Sequence, residues 1–423
     1  MKPALIQNAL TGSVATQNLT DSSVSSDLIF AQHTMATPAL GENDTNKARA
    51  RMSIGATDLT NQAAIAFTSE NGTTGGVSNN YITNAQCLVE VSNTGSTTVI
   101  EASHSSALSN GEQISVTKNS GASTRLVNTL LISGNDMEIK VTTFTLTSGQ
   151  TSISHTHGCG GTPNAFEWAV VRNVASLPAG RTTEFLKGFW DGTSSVGVGF
   201  QHTTGSNPSA VAARMTADAG HMITGDADVF NMTISGVGAS TVTIGRSATN
   251  SVPVYGYLIS YRYTGTGSFA AKVVQGSLPT TTGVFTPFSG MSVQPQLAHF
   301  VATRLTSTSL ATDDSAGALC FGTLVNNAGT AQQGVIATTD KDNVATGVTA
   351  SQTSNAKCLR VLDNTGALAF DAGYSSFNPD GLSLNCTTQA SGLGYQYIGL
   401  AMGASASSIA PVAQSLNRTR RAA

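Results

Sequence analysis

The chain is 423 residues long and poor in charge: 11% of its residues are Asp, Glu, Lys or Arg and the formal net charge is −3, against about 25% charged in an average soluble protein. That balance excludes a broad electrostatic footprint for nucleic acid or an anionic membrane. With 40% apolar residues falling into short strand-sized runs, it also excludes general disorder and a helical membrane protein.

From the N-terminus, "MKPALIQNALTGSVATQNLT" carries one positive charge and no sustained apolar core, so no secretory signal is expected. An apolar run begins at Leu28. The segment near Lys47, "NKARARM", is the one helix candidate, and it is short and lacks an apolar stripe. The block "AQCLVEVSNTG" at 85–95 is followed by "EASHSSALSNG" from Glu101. Both return far downstream, as "AKCLRVLDNTG" at 356–366 and "DAGYSSFNPDG" from Asp371. Self-similarity of this kind is the first signal to settle, because it decides the architecture.

A second junction begins at Lys140 with "KVTTFTLTSG", and a third at Lys272 with "KVVQGSLPTTTG", a period of 132 residues. Apolar runs follow each junction at matching distances, Ala165 to Trp168 and Leu297 to Phe300. Between them "AVAARMTADAG", 210–220, reads as a worn middle copy, with Ala212 in the place of Cys87 and Cys358, and Arg214 in that of Arg360. Segments such as "QCLVEVS", "EIKVTTFTL", "DVFNMTISGV" and "GLSLNC" alternate with period two and are bounded by Gly, Asn, Asp and Ser. Such alternation puts one face of a strand inward and the other into water. The fold expected is all-β: three tandem antiparallel β-sandwich or jelly-roll modules, 1–138, 139–270 and 271–408, each of about eight strands, with a basic tail at 409–423. Glycines in "WDGTSSVGVGF" and "LCFGTLVNNAG" read as places where another sheet comes close. The short junctions suggest a rod or a compact stack.

Chemistry is sparse. No GxSxG, HExxH, GxxxxGK[ST] or GxGxxG fingerprint occurs. In "ISHTHGCGG" a strand would project His155, His157 and Cys159 from one face, a geometry able to hold a metal, or to gather six imidazole nitrogens on a threefold axis; a Gly-rich polar edge is the plainer reading. Asp226 with Asp228, and Asp340 with Asp342, read as solvated turn carboxylates. Trp168 and Trp190 read as core and edge anchors. Arg418, Arg420 and Arg421 make a local basic tail. Cys87 and Cys358 read as small buried apolar positions. Cys159, Cys320 and Cys386 show no CxxC spacing, so all five are expected as free thiols of a protein made in a reducing cytoplasm. The residues assign no catalytic, cofactor or metal site, and an enzyme is not expected.

The segments "QGSLPTTTGVFTPFSGMSVQPQLAHF" and "FDAGYSSFNPDGLSLNCTTQASGLGYQYIGLAMG" resemble the tandem β modules of tailed-bacteriophage structural proteins. The likeness covers module three well, module two in part, and module one mainly through "AQCLVEVSNTG". It implies a virion structural protein made in the host cytoplasm, a fibre, spike or tail appendage ahead of a capsid decoration protein, because tandem modules make rods. A bacterial surface adhesin is the other reading of the composition. The implied partners are copies of itself, with a trimer suited to a fibre, other virion proteins and a host surface receptor; no membrane, nucleic acid or cofactor is implied. With few charges, assembly is expected to be insensitive to salt.

Overall fold

Every regular element among the described residues is a β-strand, and every ladder is antiparallel. The computed structural model describes residues 1–10, 12–24, 27–36, 45–46, 49–70, 78–92, 97–120, 125–172, 183–203, 210–224, 227–248, 252–312, 317–341 and 349–405. The expected tail, with Arg418, Arg420 and Arg421, lies outside them.

In module one a six-stranded sheet runs β1 (Lys2–Leu10), β11 (Arg125–Ser133), β3 (Leu28–Ala36), β5 (Arg49–Thr57), β6 (Gln62–Glu70), β7 (Ser78–Thr83). Against it packs a four-stranded sheet, β2 (Ala15–Thr20), β10 (Gly111–Asn119), β9 (Thr98–Leu108), β8 (Leu88–Val91). The first strand pairs with the last and the second with the next to last, the nesting of a rolled-up jelly roll. Module two repeats this order with β12 (Met137–Leu146), β21 (Val254–Tyr263), β14 (Ala165–Arg172), β15 (Thr183–Trp190), β16 (Ser195–Thr203) and β17 (Ala210–Thr216). These face β13 (Ser152–Thr156), β20 (Thr241–Arg246), β19 (Ala227–Ser235) and β18 (His221–Thr224). Module three uses β22 (Phe269–Ser277), β31 (Gln396–Ala404), β24 (Leu297–Thr303), β25 (Ala318–Asn327), β26 (Thr330–Asp340) and β27 (Thr349–Ser354). Its small sheet is β23 (Gly283–Phe288), β30 (Gly381–Gln389), β29 (Leu368–Asn378) and β28 (Leu359–Leu362). Each module is thus a six-on-four sandwich, larger than the eight strands expected.

The outer repeats are the same structural element. Cys87 and Cys358 each precede an edge strand of a small sheet, β8 or β28, and their N–H groups donate to Ala102 O and Ala372 O. Gln62 and Gln333 bridge the same neighbours, donating to Ala85 O or Ala356 O and accepting from the N–H of His104 or Tyr374. The middle copy is corrected. Ala212 and Arg214 lie in β17, in the large sheet, while the residue that precedes β18 as Cys87 precedes β8 is Gly220. The alignment fell one strand early because no cysteine marks the true position.

Close approach between sheets explains the glycines. A Cβ on Gly55 would sit 2.1 Å from Cys87 O, one on Gly322 1.7 Å from Cys358 O, and one on Gly199 1.9 Å from His221 O. In module two Gly188 makes room instead for the Trp168 indole, whose Nε1 donates to Ala219 O at 3.2 Å.

The large sheets are not wet on one face, as simple alternation suggested. Along β14 Phe166, Trp168 and Val170 point into the module's own sandwich core, while Ala165, Ala169 and Val171 point the other way, into a core shared by all three modules. Strands buried on both faces read as near-continuous apolar runs, as "AVV" does here. The shared core includes Phe30 and Phe67 of module one, Phe185, Phe200 and Tyr261 of module two, and Val301, Phe321 and Met402 of module three. Rings meet across the seams: Phe67 with Phe185 at 5.6 Å and Phe185 with Phe321 at 5.9 Å between centroids.

Three equivalent hydrogen bonds close the modules on one another. Leu5, Val141 and Val273 occupy one register position, opposite Leu130, Ile259 and Leu400. Leu5 N donates to Gln332 Oε1 (2.8 Å), Val141 N to Asp58 Oδ2 (3.0 Å) and Val273 N to Asp191 Oδ2 (2.9 Å). Module one thus contacts three, two contacts one, and three contacts two. A second set follows the same direction. The two-residue strand β4 (Thr45–Asn46) of module one joins the edge of β27 in module three. Ala311 of module three bridges Ala213 of module two, and Thr183 of module two bonds Ser78 and Asn79 of module one. Head-to-tail contacts that return to their start make a ring. The rod is therefore not formed: each large sheet has an apolar outer face, and three such faces are covered by turning them toward one another.

Candidate functional site: the axis where the modules meet

Register places Gln32, Glu167 and His299 at one equivalent position, opposite Leu130, Ile259 and Leu400 respectively. Three equivalent residues around one small cavity mark a pseudo-threefold axis. Gln32 Nε2 donates to Glu167 Oε1 at 2.5 Å, and His299 Nε2 lies 3.9 Å from Glu167 Oε2. Lys187 donates its ammonium to Glu167 Oε1, and Tyr261 OH donates to Oε2 at 3.2 Å. A cavity of about 20 Å³ beside them is bounded by Leu5, Gln32, Glu167, Lys187, His299 and Phe321.

Electrostatics here follow from burial. Desolvation pushes Glu167 upward, but the Lys187 ammonium, His299 and two hydrogen bonds outweigh it and hold the carboxyl below its ordinary range. Burial pushes His299 below its usual value against the pull of Glu167. Lys187 also lies over the Phe189 and Tyr257 rings, 5.5 and 5.9 Å from their centroids.

Further along the axis stands a second equivalent set, Ser69, His202 and Asp340, paired in register with Ser78, Val211 and Thr349. Ser69 Oγ is 2.7 Å and Asp340 Oδ2 3.3 Å from the same ring atom, His202 Nδ1. A nucleophilic triad needs the hydroxyl and the carboxylate on opposite imidazole nitrogens. All three residues are also buried. The trio is a seam between modules. It also corrects the reading of Asp340 as a solvated turn residue. Asp226 and Asp342 fall outside the described residues, and of Asp228 only the backbone is described.

His155, His157 and Cys159 do lie on one inward face, but each is held by the protein. His155 Nε2 pairs with Thr142 Oγ1 at 2.8 Å, His157 Nε2 with Gly238 O at 3.1 Å, and Cys159 Sγ with Ser260 O at 3.8 Å. They belong to the outer four-stranded side of module two, away from the axis. Burial, with His157 adding to it, lowers His155 to about 4. Trp168 is a core residue, and Trp190 stacks on Phe166 at 5.0 Å. All five cysteines are free and buried. Neither axial trio was legible in the sequence, since equivalent positions carry unlike residues.

No family model matches the chain, and no curated protein matches it. Among solved structures, a fructofuranosidase from Schwanniomyces occidentalis is similar at 7% identity and a TM-score of 0.13, over 48% of this chain. The chain spans 57% of the length of that enzyme. The VP2 subviral particle of infectious bursal disease virus is similar at 7% identity and a TM-score of 0.09, over 96% of this chain and 82% of that one.

Proposed function

We propose that this chain is a structural protein of a tailed-phage particle, acting as a single-chain pseudo-trimeric block. The observation that carries the reading is the closed cycle of module contacts around Gln32, Glu167 and His299. Three jelly-roll modules fused into one ring give a rigid body with near-threefold shape, suited to a position of threefold or local threefold symmetry. The resemblance of the repeats to phage β modules and the low surface charge support the same role. The argument that put a fibre ahead of a decoration protein was the rod, and the rod does not form. A block seated on the shell is therefore favoured over a fibre segment, with a knob on a trimeric appendage as the second reading. Contacts to neighbouring virion proteins would come from β surfaces with few ion pairs.

Copy number in purified particles tests this. Hundreds of copies bound on threefold or local threefold positions, retained in 1 M NaCl, is the expected result. A handful of copies at the tail supports the appendage; absence from particles overturns the virion reading.

A further inference from the structure

Module one carries a group of buried ionisable residues that its sister modules lack. His33 on β3, Cys87 ahead of β8 and Glu112 on β10 come from both sheets of the sandwich, and all three are fully buried. One imidazole nitrogen, one sulfur and one carboxylate oxygen lie within 4.8 Å of one another. His33 Nε2 and Glu112 Oε2 pair at 3.2 Å, and neither atom has a further hydrogen-bond partner among the described residues. Both atoms point into the gap between the sheets.

Outer partners fix these side chains. His33 Nδ1 pairs with Thr129 Oγ1 at 3.1 Å, which leaves Nε2 turned inward. His104 Nδ1 bonds Glu112 Oε1 at 2.8 Å, which leaves Oε2 turned inward. Orientation of ligating histidines and carboxylates by such second partners is typical of metal sites.

Comparison among the modules sharpens the point. Phe300 stands opposite Gly322 as His33 stands opposite Gly55, and Trp168 stands opposite Gly188. Leu382 stands opposite Phe288 as Glu112 stands opposite Leu19. Module three therefore fills this layer with Phe300, Leu382 and Cys358, an apolar solution. An ionised carboxylate in the same dry layer is costly unless a positive charge meets it, a role that the His33 and His104 imidazoles fill only when protonated. A divalent cation with one thiolate and one carboxylate is a net-neutral group, and imidazole completes a borderline-soft donor set.

We propose that His33 Nε2, Cys87 Sγ and Glu112 Oε2 form a structural site for a divalent metal of the zinc type, clamping the two sheets of module one. Bonds of about 2.0–2.3 Å around the ion bring donors to within about 3.3–3.8 Å of one another; His33 Nε2 and Glu112 Oε2 already stand 3.2 Å apart, so the Cys87 sulfur is the donor that draws in, from within 4.8 Å. Cys87 releases its thiol proton to solvent as the metal binds. The site does not depend on the virion role.

The test uses the full chain purified without chelator. Metal analysis should find about one zinc per chain, and cobalt substitution should give a thiolate-to-metal charge-transfer band. Cys87→Ala should abolish the charge-transfer band, and Cys358→Ala should leave it unchanged. The double variant His33→Phe with Glu112→Leu, which copies the module-three layer, should fold and take up no metal. A folded wild-type chain that binds neither zinc nor cobalt overturns the proposal, as does a thiolate band that persists in Cys87→Ala.

Discussion

Lys187→Met isolates the central charge of the axis. In the native chain Lys187 and Glu167 are both at least 95% buried, and the ammonium is the one cation that touches the carboxylate. Its removal leaves Glu167 with Gln32 and Tyr261 as hydrogen-bond donors and the His299 ring at 3.9 Å, with no ammonium against it. Breaking a buried pair in this way costs about 3–5 kcal/mol. Replacing both partners, as Lys187→Met with Glu167→Leu, should recover most of the loss. Urea unfolding followed by fluorescence of Trp168 and Trp190 reads both values through the midpoint at constant slope. The pH dependence supplies a sign. Native Glu167 sits below its unfolded value, so its contribution is present above the unfolded carboxylate pKa and is lost as pH falls. In Lys187→Met desolvation dominates and the folded pKa rises above the unfolded one. The deficit of the variant should then shrink on acidification, by about 1.4 kcal/mol per pH unit between those two values. A neutral Lys187→Met, or a double variant as weak as the sum of its singles, refutes the axial account.

Three other outcomes follow from the packing. Gly322→Ala would place a Cβ 1.7 Å from the Cys358 carbonyl and should cost more than about 3 kcal/mol, whereas Gly238→Ala, with its nearest atom at 3.6 Å, should stay within about 0.5 kcal/mol. Asp191→Ala removes the acceptor of Val273 N across the seam between modules two and three, and with it the Oδ1 that accepts from the Thr193 and Ser194 N–H groups, and should cost about 1–3 kcal/mol; a cost below about 0.5 kcal/mol contradicts the seam contact. His155 should titrate by NMR near pH 4, so its contribution is complete above about pH 6.5 and is lost as pH falls toward 4; a midpoint near 6.5 contradicts the buried placement.

How far the sequence carried depended on whether equivalent positions kept like residues. The first and third modules were legible because "AQCL" and "AKCL" both lead into a small-sheet strand, with Cys87 and Cys358 donating to matching carbonyls. The glycines of the second and third modules were legible too, since Gly199 and Gly322 serve close approach whatever their neighbours are. The middle repeat slipped to Ala212 because Gly220 replaces the cysteine and Trp168 fills the sandwich from the other sheet. The axis was hidden for a related reason: Gln32, Glu167 and His299 share a position but no chemistry. Strands buried on both faces lose the alternation that reveals one wet face, so the shared core read as three separate ones. His33, Cys87 and Glu112 come from three distant segments, and only the sandwich brings them together.

Solution scattering from the monomeric chain tests the closed ring most directly. A compact body of 423 residues has a radius of gyration of about 22 Å, whereas three such modules in line would give about 33 Å. The ring predicts a value near the lower figure, with a single maximum in the distance distribution. A value near the upper one would contradict it.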